Sequence, residues 1–300
     1  MKQNRNKILL IALVLLVAVF LGTKLFRAPA LKTNLDVNRF AIDTALITSI
    51  KLDRPGKPQL TLERSAGSWI VKEGDKQAKV ESFQFESLMR TLTSTKPERI
   101  VSRSTDKWAT YEVSDSTSLR MVAYDADNEP VIDWHVGRQA QGATYVRADG
   151  ENETYAMEGN IRADLDNDFN RWRDKTFIRT EPSIINKITF TYPADSGFVL
   201  QKDGSAWTIE NQRADSAQVE RYLSRFRLRK LSSFVDEPPS QDPDVTLTIE
   251  TSKGDKQEIS GWKNDEDSWT LNSTVQPDAY FRDTRTDNDL FVGKETLLAK

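Results

Sequence analysis

One apolar pattern occurs twice in this chain, the second time 138 residues after the first (207 − 69, tryptophan against tryptophan). In the first copy Ile47, Ile50, Leu52, Leu60, Leu62 and Trp69 occupy mostly alternating positions; Ile185, Ile188, Phe190, Phe198, Leu200 and Trp207 answer them one for one. A shift to 134 (219 − 85) then sets Phe85, Leu88, Met89 and Leu92 against Val219, Tyr222, Leu223 and Phe226. Both quartets have the i, i+3, i+4, i+7 spacing of a buried helix face. A β-then-α order written twice restricts the fold to two tandem copies of one α+β module. Each copy is expected to be a mainly antiparallel, twisted sheet packed on its helix, with boundaries at 38–176 and 177–300.

The 300 residues exceed the usual size of one domain, which agrees with two modules. A formal charge of −3 argues against nucleic acid as a partner, because phosphate neutralisation needs a basic surface. The chain has no cysteine, so disulfides, thiolate metal sites, cysteine nucleophiles and a lipid-acceptor cysteine are excluded together.

Lys2, Arg5 and Lys7 precede an unbroken apolar run from Ile8 to Gly22, and Thr23 to Arg27 follow. Extended to Phe26, with Lys24 reaching the headgroups, the run measures about 28 Å, close to the hydrocarbon thickness of a bilayer. Residues 1–27 are therefore read as a single transmembrane anchor with its N-terminus in the cytoplasm, because basic residues stay on that side. Ala28-Pro29-Ala30 has the small-x-small form of a cleavage site, but Lys24, Arg27 and the internal proline count against cleavage. Residues 28–37 read as a tether, which would hold the body on the outer side of the membrane.

Alternation predicts strands at Phe40 to Ile42, Ile47 to Leu52, Gln59 to Leu62 and Trp69 to Val71, with turns at Arg54-Pro55-Gly56 and Ala66-Gly67-Ser68. A helix is predicted near 82–93, and its counterpart starts at Asp215 with Gln218 three residues on, a capping pattern. Further strands are expected at Ile100-Val101, Leu119 to Tyr124, Val131 to Val136, Thr144 to Arg147 and Thr154 to Met157. Phe234-Val235, Val245 to Glu250, Gln257 to Ile259, Trp269 to Leu271 and Tyr280-Phe281 take those places in the second copy.

Tyr111-Glu-Val113, Thr144-Tyr-Val-Arg147, Tyr155-Ala-Met-Glu158 and Phe169-Asn-Arg-Trp-Arg-Asp-Lys-Thr-Phe177 carry a resemblance. Together with the paired tryptophans they make the chain similar to an uncharacterised bacterial family, the domain of unknown function DUF4340, over about residues 38–298. In the second copy Lys294-Glu-Thr-Leu-Leu298 stands in for Arg173-Asp-Lys-Thr-Phe177. The resemblance implies a single-anchor envelope protein in the company of an ABC transporter permease, its ATPase and GldG-like auxiliary subunits of the gliding-motility type. It supplies no catalytic residues.

Known catalytic patterns are missing. There is no Gly-x-Ser-x-Gly elbow, no GxxxxGK phosphate loop and no dinucleotide glycine pattern, so neither ATP hydrolysis nor a bound cofactor is expected. His135 is the single histidine, and a triad would rest wholly on it. It lies in the strand pattern Val131 to Val136, where a structural role is the plainer reading. Asp164, Asp166 and Asp168 alternate as in a calcium loop, but Phe169 and Lys175 occupy the positions that need glycine and glutamate. Ile161, Leu165, Phe169 and Trp172 instead define one helical face, with the aspartates towards solvent. No metal site is expected.

Arg221, Arg225, Arg227, Arg229 and Lys230 lie on and after the second helix, where the first copy has Ser87, Thr91, Thr93, Thr95 and Lys96. The plain reading is a solvated face that balances nearby acids. The sharper one is a contact surface for an acidic partner or anionic lipid. The chain is thus expected to be a non-catalytic, membrane-anchored envelope protein, an auxiliary or scaffold of an ABC-type transport system. The alternative is a free-standing binding module for an envelope polymer or an exported protein.

Overall fold

The computed structural model describes residues 35–36, 39–264, 268–284 and 289–299. The predicted anchor and most of the tether lie outside them. Among the described residues no helix is long and apolar enough to cross a membrane.

The chain forms β1 (Ser49–Asp53), β2 (Leu60–Ser65), β3 (Ser68–Glu73), β4 (Lys76–Lys79), helix α1 (Ser82–Ser94), β5 (Pro97–Ser102) and α2 (Trp108–Tyr111). It continues with β6 (Leu119–Tyr124), β7 (Pro130–Ala140), β8 (Ala143–Ala148), β9 (Thr154–Glu158), α3 (Ile161–Leu165), α4 (Phe169–Trp172) and β10 (Thr176–Ile178). The second half holds β11 (Ile185–Thr191), β12 (Phe198–Asp203), β13 (Ala206–Ile209), β14 (Gln212–Arg213), α5 (Ser216–Leu223) and β15 (Arg229–Lys230). β16 (Phe234–Val235), β17 (Val245–Thr251), β18 (Lys256–Lys263), β19 (Trp269–Ser273) and β20 (Gln276–Asp283) follow.

Two nine-stranded sheets result, with orders β4-β3-β2-β1-β6-β7-β8-β9-β5 and β14-β13-β12-β11-β17-β18-β19-β20-β16. These are one topology written twice. In each, four strands meander outwards, the chain crosses through the helix, the fifth strand goes to the far edge, and the sixth returns beside the first. β10 and β15 form a separate two-stranded ribbon. The pairings are antiparallel and the fold is α+β. Contacts divide the chain into two compact units, residues up to Lys57 with Met89–Leu165, and Pro58–Leu88 with Asp166–Lys300.

Local chemistry explains most elements. Ala66 and Gly67 both take positive φ (46° and 81°), the turn geometry that suits the twist of a two-residue hairpin between β2 and β3. Asp215 caps α5, its carboxylate accepting from the Ala217 and Gln218 amides, as the capping pattern predicts. Val219, Tyr222, Leu223 and Phe226 enter the second unit's core with Ile188, Phe190, Phe198, Leu200 and Ile249. The Tyr222 hydroxyl, buried there, donates to the Leu290 carbonyl at 2.6 Å. In α1, Leu88 and Leu92 are buried, Phe85 and Met89 only partly.

The repeated tryptophans occupy equivalent places. Trp69 faces Arg64 across β2–β3 and Trp207 faces Lys202 across β12–β13. Their carbonyls accept from Val80 (2.9 Å) and Ala214 (2.8 Å). Only Trp207 is buried, however; Trp69 is half-exposed and leans on Phe85 with ring centres 4.3 Å apart.

Several expectations need correction. Phe40 to Ile42 is not a strand. The 161–172 stretch is two short helices, because Asp168 turns its carboxylate back to cap α4 by accepting from the Arg171 amide at 2.8 Å. Its four apolar residues are nonetheless buried. The register of the closing segment also differs from the predicted match. The Glu81 amide donates to the Trp172 carbonyl (2.7 Å), and the Asp215 amide to the Leu297 carbonyl (2.8 Å). Leu297 therefore answers Trp172, and Leu298 answers Arg173, four residues later than the alignment of Lys294 with Arg173.

Trp207→Ala is expected to cost about 3–5 kcal/mol and Trp69→Ala clearly less, since only the first empties a core site. Urea midpoints of the two variants check this.

Candidate functional site

Within the first unit, register lines up an unusual row of side chains. Asp53, Arg120, His135 and Arg147 stand directly opposite one another across β1, β6, β7 and β8. Alternation sends Leu119, Met121 and Val136 to the opposite face, where they are fully buried. His135 itself is only 1% exposed.

Its cover is the segment that leads from β5 into β6. Val113 lies in a small apolar cluster with Ala143, Tyr145 and Ala156, against which Trp108 and Tyr111 pack. The close approach depends on Gly137, where a Cβ would overlap the Tyr111 carbonyl oxygen and come within 2.8 Å of the Val113 side chain. Arg147 fastens the segment. Its guanidinium lies 4.0 Å from the Trp108 ring centre, donates from Nε to the Val113 carbonyl (3.1 Å) and from Nη2 to Asp115 (2.7 Å).

The imidazole is held at both nitrogens. Nδ1 is 2.9 Å from the Ser118 hydroxyl and Nε2 is 3.0 Å from Asp149 Oδ1. A carboxylate only accepts, so Nε2 carries a proton and donates to Asp149, and Nδ1 shares a hydrogen bond with the Ser118 hydroxyl. Ser118, His135 and Asp149 thus have the contacts of a serine–histidine–aspartate triad, but turned the wrong way. The hydroxyl that would attack is buried, 4% exposed, whereas the orienting aspartate has a side chain 46% exposed. A nucleophile must reach its substrate and its orienting acid must be shielded; here each has the other's environment. The arrangement suits holding the segment in place.

Asp133, His135 and Asp149 could each present a ligand atom, all within 4.8 Å of one another. Arg120 already serves those carboxylates, with a two-pronged contact to Asp133 (2.9 and 2.7 Å) and 3.7 Å to Asp149. A divalent ion would have to displace that guanidinium, so the donor set does not fit a metal. The hydrogen bond from His135 and the charge of Arg120 hold the Asp149 carboxyl below its ordinary range. Above this floor is an open cleft of about 280 Å³ lined by Arg54, Lys57, Asp115, Ser116, Ser118 and Arg120 among others.

The basic residues singled out from sequence lie in the second unit and do not form one free patch. Arg221 is exposed, with its Nε 3.3 Å from the Ala217 carbonyl. Arg227 is exposed and meets Glu181 at 3.3 Å, and Lys230 meets Glu81 at 2.7 Å. Arg225 is half-buried against Asp289. Arg229 corrects the expectation of exposure most clearly: it is 8% exposed, clamped between Asp283 (2.9 Å) and Asp289 (2.7 Å). A second cleft in this unit, about 410 Å³, runs past Arg173, whose guanidinium lies 3.7 Å from the Phe234 ring centre and 5.4 Å from that of Phe169.

The family model for the domain of unknown function DUF4340 matches residues 73–249, more than half of the chain. The chain belongs to the DUF4340 family. The DUF4340 match takes in Arg120, His135 and Arg147 of the row, and the signature stretch Phe169 to Phe177. That stretch has a structural reason in this member: Trp172 and Arg173 bridge to the end of β4, and Phe177 is fully buried in the second unit's core. No curated protein and no solved structure matches the chain.

Two outcomes are expected. Asp149 has a folded pKa below its unfolded value, so its stabilising contribution is present at neutral pH and disappears as pH falls through the carboxylate range below about 4. Asp149→Asn should be less stable at pH 7 and lose less on acidification than the parent, read from urea midpoints across that range. Arg229→Glu should cost about 3–5 kcal/mol by leaving the buried Asp283 carboxylate uncompensated, whereas Arg221→Glu should stay within about 0.5 kcal/mol of the parent. Equal stability of the two arginine variants would refute the assignment.

Proposed function

We propose that this protein is a non-catalytic, membrane-anchored subunit of the bacterial envelope that serves an ABC-type transport system as an auxiliary or scaffold. In this reading residues 1–27 anchor it in the cytoplasmic membrane with the N-terminus inside, and two duplicated modules, each a sheet with its helix, stand on the outer side. The permease, the ATPase and GldG-like subunits are its partners. The observation that carries the non-catalytic part is the inverted Ser118–His135–Asp149 contact, which shields the hydroxyl and exposes the acid. The identical strand order of the two sheets supports a duplicated module.

The tether limits where the body can act. Eleven residues, Arg27 to Val37, reach at most about 40 Å when fully extended. The first module then stays beside the membrane, where a transporter's outer face is met at high effective concentration. The second reading is a free-standing binding module for an envelope polymer or an exported protein, and the mixed-charge cleft of the first unit favours it.

Purification of the full chain from detergent-solubilised membranes separates the two. Recovery of a permease and its ATPase is the expected result, and enrichment of glycan without them would favour the second. Protease added to spheroplasts should digest the body and leave an N-terminal membrane fragment. A mature N-terminus at Leu31 would overturn the anchor.

A further inference from the structure

The charged row has an internal control. Thr191, Thr246, Ser260 and Asn272 stand opposite one another across β11, β17, β18 and β19, just as Asp53, Arg120, His135 and Arg147 do across β1, β6, β7 and β8. The strand order around the two rows is the same. The second sheet therefore closes this row with hydroxyls and an amide, and the fold needs no charge there. Shielding ionised groups from water is costly unless each is paired, so a neutral row is the less demanding solution. The first sheet keeps Arg120, His135 and Arg147 with Asp133, Asp149 and Asp115, and of these Arg120, His135 and Asp115 line an open cleft.

The cleft has walls of opposite sign. Arg54 and Lys57, from the connection after β1, form one wall; Asp115 and Ser116, from the segment before β6, form the other. Arg120, Ser118 and His135 make the floor. Lys57 is exposed, and the Asp115 side chain is 82% exposed, fixed through one oxygen to Arg147. At the place of Arg54 the second sheet has Tyr192, whose hydroxyl instead donates to the Val292 carbonyl at 2.9 Å.

We infer that this cleft binds a small zwitterion, with its ammonium against Asp115 and its carboxylate or phosphate against Lys57 and Arg54. A simple anion would meet the Asp115 and Asp53 carboxylates as well as the cations, and a simple cation would meet Arg54, Lys57 and Arg120. A ligand carrying both signs complements both walls, and like-charge contacts select against the others. The same chemistry is offered by a phosphoethanolamine lipid headgroup and by a free amino acid. The assignment deepens the binding-module reading and rests on no transporter, so the cleft and the complex fail or stand by separate experiments.

The test is calorimetric titration of the full chain in detergent. O-phosphoethanolamine and β-alanine are the zwitterions; inorganic phosphate, acetate and ethylamine are the single-charge controls. At least one zwitterion should bind ten times more tightly than any control. Lys57→Gln, at an exposed position, should weaken it at least tenfold while the thermal unfolding curve stays that of the parent; Asp115→Asn, which also removes the carboxylate partner of the buried Arg147, should weaken it at least tenfold at a temperature where the variant is still folded. Mixed micelles of phosphatidylethanolamine against phosphatidylglycerol distinguish the sources: preference for the former together with weak binding of free zwitterions assigns a lipid headgroup, and strong binding of free zwitterions without lipid preference assigns a solute. Equal binding of phosphate and the zwitterions, unchanged binding by both variants, or no binding of any probe at millimolar concentration would overturn the proposal.

Discussion

The register of β6 on β1 is the contact from which the first unit's site descends. Asp53 pairs with Arg120 and Ile50 with Ala123, so Ile50, Leu52, Leu119, Met121 and Ala123 turn to one face and Lys51, Asp53 and Arg120 to the other. A slip of one residue would reverse every side chain, burying Arg120 and exposing Met121. β7 and β8 extend the same register, and this alone brings His135 between Arg120 and Arg147. The hydrogen bonds of the row can form only after these four strands are aligned, although Asp53 and Arg147 are 94 residues apart (147 − 53).

Duplication makes the two sheets a comparison within one chain. What both copies share is what the architecture demands: the alternating apolar strands, the tryptophan of the third strand, the carbonyl it offers to the residue after the fourth, and the buried face of the helix. What only one copy has is free to serve something else. The charged row and its cleft belong to the first copy. In the second copy the buried Arg229–Asp283–Asp289 cluster is the one that differs, because the first helix is followed there by Thr95, which satisfies its hydroxyl on the Thr91 carbonyl. Burial pushes the Asp283 carboxyl up while Arg229 opposes the shift, as expected for a shielded ion pair held inside a fold.

The long, strongly periodic elements were legible from sequence: Leu119–Tyr124 has the predicted limits, and α1 and the Asp215 cap fall where predicted. Most short elements were not, the two-residue β16 (Phe234–Val235) being an exception. β4, β14, β10 and β15 contain two to four residues each and exist because a neighbouring strand offers them hydrogen bonds, which leaves no period to read. The break between α3 and α4 was hidden for a related reason: the four apolar residues keep helical spacing, while Asp168 redirects the backbone by capping.

Sequence by itself determined the repeat, the α+β class, the family, and the side of each strand that faces the core, because these follow from periodicity and identity along the chain. Tertiary structure decided which polar residues meet. His135 reads as an ordinary strand residue until β6 and β8 are placed on either side of it, and Arg229 reads as a surface cation until Asp283 and Asp289 close over it. Both outcomes depend on residues far apart in the chain being brought within hydrogen-bond distance, and local pattern carries no record of that.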